Sequence, residues 1–77
     1  MKRLTDQQVS MLSYLARESK EDGSSSVLWP ELAKATWIGK QTPEVFNNRL
    51  CDLRELGLIR CGDHGWHITE LGREKVG

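Results

Sequence analysis

The sequence lacks most of the features that announce a chemistry. It has two cysteines, Cys51 and Cys61, which form no Cys-x-x-Cys pair and are too few for a disulfide framework. No long apolar segment occurs, and no apolar run follows Met1-Lys2-Arg3. The expectation is therefore a soluble cytoplasmic protein with reduced thiols and no membrane partner. Net charge is missing too: eleven Lys and Arg stand against eleven Asp and Glu. Phosphate neutralisation favours basic surfaces, so composition as a whole lends no support to a nucleic-acid partner, and any such case rests on local placement. There is no Gly-rich phosphate loop, no pair of acids in a cleft, and no Ser or Cys beside an obvious His base. An enzyme is not expected, nor a cofactor, and Ser24 to Ser26 reads as a flexible loop. Internal repeats are absent.

The 77 residues make one small domain, 1–77. Met1 and a capped final helix are what a complete chain would have. A chain of this size buries only roughly 60% of the surface its unfolded form exposes, so the core is thin. Trp29, Trp37 and Trp66 matter most to it, since each removes on the order of 200 Å² from water when buried.

Helix signals recur along the chain. Thr5 with Gln8 forms a capping-box pattern, and Val9, Leu12, Leu15 and Ala16, with Met11 beside them, follow at one-stripe spacing to an end near Lys20. Glu21 to Ser26 is a polar breaker. Val27-Leu28-Trp29 precedes Pro30 and reads as a brief strand. Pro30 suits the first turn of a second helix, which carries Leu32, Ala33 and Ala35 to about Thr36. After the turn Trp37 to Gln41, Thr42-Pro43-Glu44 opens a third helix with a cap, an N-terminal proline and an early acid. Phe46, Leu50 and Leu53 form its buried stripe, with Leu56 near its end. Gly57 fits a left-handed C-cap, with Leu58 folding back on Leu53. Leu58 to Cys61 and Trp66 to Thr69 read as a hairpin around a four-residue loop, Gly62 to Gly65. Pairing Cys61 with Trp66 and Ile59 with Ile68 puts those four on the core face, and Arg60 and His67 on the wet face. Thr69 caps a last helix, Glu70 to Val76.

The fold class expected from this order is α+β and mostly helical: a three-helix core with a short strand, a C-terminal β-hairpin and a short closing helix. The order resembles the winged helix-turn-helix family over nearly the whole chain. The resemblance is sharpest in Leu53-Arg54-Glu55-Leu56-Gly57-Leu58-Ile59-Arg60 and Trp66-His67-Ile68-Thr69-Glu70-Leu71-Gly72-Arg73. Two features depart from the family pattern: the Trp37 to Gln41 turn is a few residues longer than in a compact helix-turn-helix, and the wing at Gly62 to Gly65 is very short.

The resemblance implies sequence-specific binding of double-stranded DNA in transcriptional regulation, with the helix at about 43–56 in the major groove. Val45, Asn47, Asn48 and Arg49 match the positions that read base edges. Asn pairs with adenine and Arg with guanine in the major groove, and two adjacent Asn are unusual helix residues. Around the preceding turn, Lys34, Lys40, Gln41 and Thr42 are the phosphate candidates, in keeping with the preference of helix N-termini for anions. Arg60, His64 and His67 are candidates on the wing. Against this stand Glu44, Asp52 and Glu55 on the same helix. The rival reading is a winged-helix protein-interaction module without DNA binding, with Trp37 and Ile38 in the turn as its partner surface, since fold does not dictate function; the plainer expectation tucks both onto the core. Regulators of the family often act as dimers, and the first helix or the tail would supply a homodimer contact. Cys61-x-x-His64-x-x-His67 has ligand-like spacing, but the strand register separates Cys61 from His67 and structural zinc wants four converging ligands. No metal is expected, and Cys61 is read as a small buried hydrophobe.

Overall fold

A computed structural model describes residues 4–76. In chain order the elements are α1 (Asp6–Glu18), α2 (Trp29–Thr36), α3 (Pro43–Glu55), β1 (Ile59–Gly62), β2 (Gly65–Ile68) and α4 (Glu70–Val76). Among the described residues this is an α+β arrangement of four helices and one two-stranded antiparallel hairpin. The core gathers one stripe from each layer: Met11, Leu12 and Leu15 of α1, Leu32 and Ala33 of α2, Phe46, Leu50 and Leu53 of α3, with Val27, Leu58, Ile59 and Ile68.

Local chemistry accounts for the helix ends. At α1 the Thr5 hydroxyl accepts from the Gln8 N–H (3.1 Å) while the Gln8 side chain accepts from the Thr5 N–H (3.0 Å), so two orphan donors are satisfied reciprocally. The α1 helix stops at Glu18, short of Lys20, because the buried Ser19 turns its hydroxyl inward. That hydroxyl donates to the Leu15 carbonyl (2.6 Å) and accepts from the Ile68 N–H (2.9 Å), tying the helix end to β2. At the end of α3, Gly57 takes φ +78°. The Leu58 N–H then reaches the Leu53 carbonyl and the Gly57 N–H the Arg54 carbonyl, both at 3.0 Å, which is the Schellman pattern. Thr69 caps α4, its hydroxyl accepting from the Gly72 N–H (3.1 Å) and donating to the Gly57 carbonyl (2.6 Å). The start of α4 is thereby fixed to the end of α3.

Several expectations are corrected. Val9 is 45% exposed whereas Met11 is fully buried; the inward stripe of α1 is rotated so that Gln7 and Gln8, not Val9, lie beneath it. The brief strand at Val27 to Trp29 shrinks to a single bridge, Val27 to Trp66, because α2 already begins at Trp29. The hairpin register is the expected one, Ile59 with Ile68, Arg60 with His67 and Cys61 with Trp66. The pairing continues to Gly62 and Gly65, so the expected four-residue loop is a two-residue turn at Asp63-His64.

The faces of the hairpin also differ from expectation. Cys61 is exposed: the core ends at the Ile59–Ile68 pair, and the far half of β1 runs past it. His67 is buried on the supposedly wet face. Its ring lies between Gly23 and Gly62, beneath the Glu21 to Ser26 loop, with Nδ1 3.1 Å from the Ile68 carbonyl. A polar loop without large side chains can lie flat over a strand, and here it does.

Candidate nucleic-acid interface

The α3 helix is held at three points before any partner is considered. Its first turn is capped by the Thr42 hydroxyl, which accepts from the Val45 N–H (3.2 Å). The buried Gln7 of α1 makes a reciprocal amide pair with Gln41, at 2.6 and 2.7 Å, and also donates to the Thr36 carbonyl (3.2 Å). One side chain thus fastens both ends of the connection between α2 and α3. Further along, the Gln8 side chain donates to the Arg49 carbonyl (3.3 Å).

The helical period sorts the outward residues of α3. Glu44, Asn48, Cys51 and Glu55 recur at i, i+4, i+7 and i+11, so they share the stripe opposite Phe46, Leu50 and Leu53. Asn47 and Arg54 lie on one flank, Val45, Arg49 and Asp52 on the other. Asn47, Asn48, Val45 and Arg54 are exposed, while Arg49, Cys51 and Asp52 are half-buried. Two of the four outermost side chains are acids, and the cations stand at the edges.

An aromatic cluster supports the Asn47 flank. Phe46 stacks on Trp37 (centroids 5.1 Å apart, 21° between planes) and meets Trp29 edge-on (5.5 Å, 86°). Both tryptophans are half-buried. The Trp29 Nε1–H donates to the Asn47 side-chain oxygen at 2.6 Å. The Trp37-Ile38 pair is therefore split: Trp37 belongs to this cluster and Ile38, 55% exposed, stands outside it.

The other site candidates are distributed unevenly. Lys34 and Lys40 are exposed, Lys40 following Gly39 in the turn. Gln41 and Thr42 are engaged with Gln7 and with the cap, so their side chains shape the turn. Arg60 and His64 are exposed on the hairpin. Arg60 lines an open hollow together with Lys20, Glu21, Asp22 and Glu70, so three acids share that hollow with the two cations. His67, covered by the loop, presents no wing contact. Glu21 in that loop is ion-paired with Arg73 of α4. A hydrogen bond from its own backbone, then the Arg73 guanidinium, hold the Glu21 carboxyl below its ordinary 4.5. The neighbouring Asp22 carboxyl is lowered in the same direction by the Ser24 N–H it accepts. Among the described residues no group of His, Cys, Asp and Glu converges as a metal site, and no helix is long and apolar enough to cross a membrane.

Sequence reasoning missed Gln7 and Trp29 as organisers of this surface. The signal for Gln7 was a second glutamine beside the capping residue, at a position the helical stripe turns inward. For Trp29 there was none, since its partner lies eighteen residues away. No family model, curated protein or solved structure matches the chain.

Proposed function

We propose that this chain is a winged helix-turn-helix domain that binds double-stranded DNA sequence-specifically, as a transcriptional regulator, with α3 in the major groove and the hairpin as the wing. The observation that carries the reading is the pair of exposed amides, Asn47 and Asn48, on a doubly capped helix. A turn bearing the exposed Lys40 precedes that helix and is fastened by the Gln7–Gln41 pair. Amides on a rigid element suit base edges, while Lys34, Lys40 and Arg49 at the margins suit phosphates. With acids on the outermost stripe and in the hollow that Arg60 lines, only a few phosphates are neutralised, and affinity has to come mainly from the groove.

A second reading, docking of a protein partner, is favoured by two exposed apolar side chains, Ile38 in the turn before α3 and Val45 on α3, 55% and 38% exposed. Titration of isotope-labelled protein with duplex DNA at two salt concentrations separates the two. DNA binding gives amide shifts centred on Lys40, Asn47 and Asn48. The logarithm of affinity then falls against the logarithm of salt with a slope of about −3, as expected for roughly three phosphate contacts. An unperturbed spectrum at low salt overturns the DNA reading in favour of the protein partner.

A further inference from the structure

The hydrogen bonds of β2 fix which way the backbone of β1 faces. Trp66 gives both of its backbone groups to Val27: the Val27 N–H donates to the Trp66 carbonyl (2.8 Å) and the Trp66 N–H to the Val27 carbonyl (2.7 Å). Those groups therefore point away from Cys61, the cross-strand partner of Trp66. In an antiparallel ladder both residues of such a pair face outward. The Cys61 N–H and C=O thus point to the open side of β1, and neither has a partner among the described residues.

Sheet edges are ordinarily blunted by a bulge, a proline, a lysine or a covering element. None of these protects β1 at Cys61. The register runs through four successive pairs without a bulge. The strand reads Ile-Arg-Cys-Gly, and Arg60, Cys61 and Gly62 are all exposed. The open length is bounded at both ends. Ile59 is fully buried, which closes the edge on one side, and the turn at Asp63-His64 closes it on the other.

We propose that this edge pairs antiparallel with the same edge of a second copy, about a twofold axis at Cys61, so that two hairpins join into one continuous sheet. The Cys61 N–H of each chain donates to the Cys61 carbonyl of the other. Length and charge favour a second copy over any other strand. A longer extended segment would run on into whatever covers Ile59, whereas the hairpin of a second copy turns away after its own Gly62. In this register Arg60 of each chain stands across from Gly62 of the other, so no side chain opposes the cation. A chain of zero net charge does not repel its copy at long range. So short an edge buries far less than the roughly 1,200 Å² of a stable complex. The association is accordingly weak, with a Kd on the order of a millimolar. It does not depend on the DNA reading.

The test follows isotope-labelled protein by translational diffusion and amide shifts, from about 0.05 mM to about 2 mM, under reducing conditions that keep disulfides out. The expected result is a monomer–dimer equilibrium with shifts centred on Arg60, Cys61 and Gly62. The Cys61 N–H exchanges with solvent more slowly at the high concentration. The Val27 and Trp66 N–H groups, already bonded to each other's carbonyls, do not change. Gly62 has φ outside the left-handed region, and a Cβ there meets nothing nearer than 3.8 Å, so the position accepts a side chain. Relative to Gly62→Ala, Gly62→Lys sets a cation across from Arg60 of the second copy and is expected to weaken association about fivefold. Gly62→Glu sets an acid there and should tighten it by about the same factor. Should a variant not fold, the concentration dependence of Cys61 exchange in the wild type decides alone. A chain that stays monomeric at about 2 mM overturns the inference and leaves the edge to another extended partner or to water. Association with shifts centred elsewhere, or equal association of the Lys and Glu variants, overturns it too.

Discussion

Gln7 shows how much a single polar side chain carries in a small domain. It is 3% exposed and satisfied by the Thr36 carbonyl and by the Gln41 amide, which returns a bond of its own. Removing one partner of such a set costs more than the bond itself is worth, because the groups left behind lose their partner. Gln7→Leu is therefore expected to lower unfolding stability by about 1–2 kcal/mol in urea titration, with Gln41 still able to reach water. A loss no larger than that of an exposed substitution on α1, such as Ser10→Ala, would show that the amide pair is not a fastening. This scale was the least legible in the sequence. The exposure of Val9 and Cys61 and the burial of His67 depend on how far the core extends and on what folds over it, which short-range periodicity does not contain. The Trp29–Asn47 bond joins α2 to α3 and has no local signature.

Elements were far more legible, because their boundaries are set by neighbours in the chain. The Thr5–Gln8 box, the Thr42-Pro43 start and the Gly57 stop all act within a few residues, and each stood where the sequence put it. The hairpin register followed from matching apolar positions across a turn. What escaped was how elements meet. Gly72 in α4 is a case: a Cβ there would overlap the Leu58 carbonyl oxygen and press on Ile68. The closing helix can lie on the end of α3 and the start of β1 only because that position is bare. Gly72→Ala would gain helix propensity yet is expected to destabilise the domain by about 2–3 kcal/mol, since overpacking a close contact forces backbone movement. Leu71→Ala, next to it and 46% exposed, should stay within about 0.5 kcal/mol. Thermal unfolding of the two variants side by side checks the contrast, and equal melting temperatures would contradict the close approach.

For the whole molecule, zero net charge does not mean indifference to pH. Glu21 and Asp22 both titrate below their ordinary values of 4.5 and 3.8. In acid the unfolded chain takes up these protons first. The stabilisation they give is therefore complete above the unfolded values and is lost as pH falls through the folded ones. The melting temperature is expected to decline on acidification from about pH 5 to pH 3. The double substitution Glu21→Gln, Asp22→Asn should make that decline shallower, and added salt should shrink the effect, both groups being at the surface. An unchanged pH profile in the double variant would assign the acid response to other carboxylates. The aromatic cluster has a consequence of a different sort. Trp29 and Trp37 lie 6.4 Å apart at 80° on the flank of α3, and the third indole, Trp66, belongs to the hairpin. Two of the three indoles thus stand beside the surface in question. With Trp66 replaced by Phe, the remaining fluorescence is a built-in optical gauge of what touches α3, readable without attaching any dye.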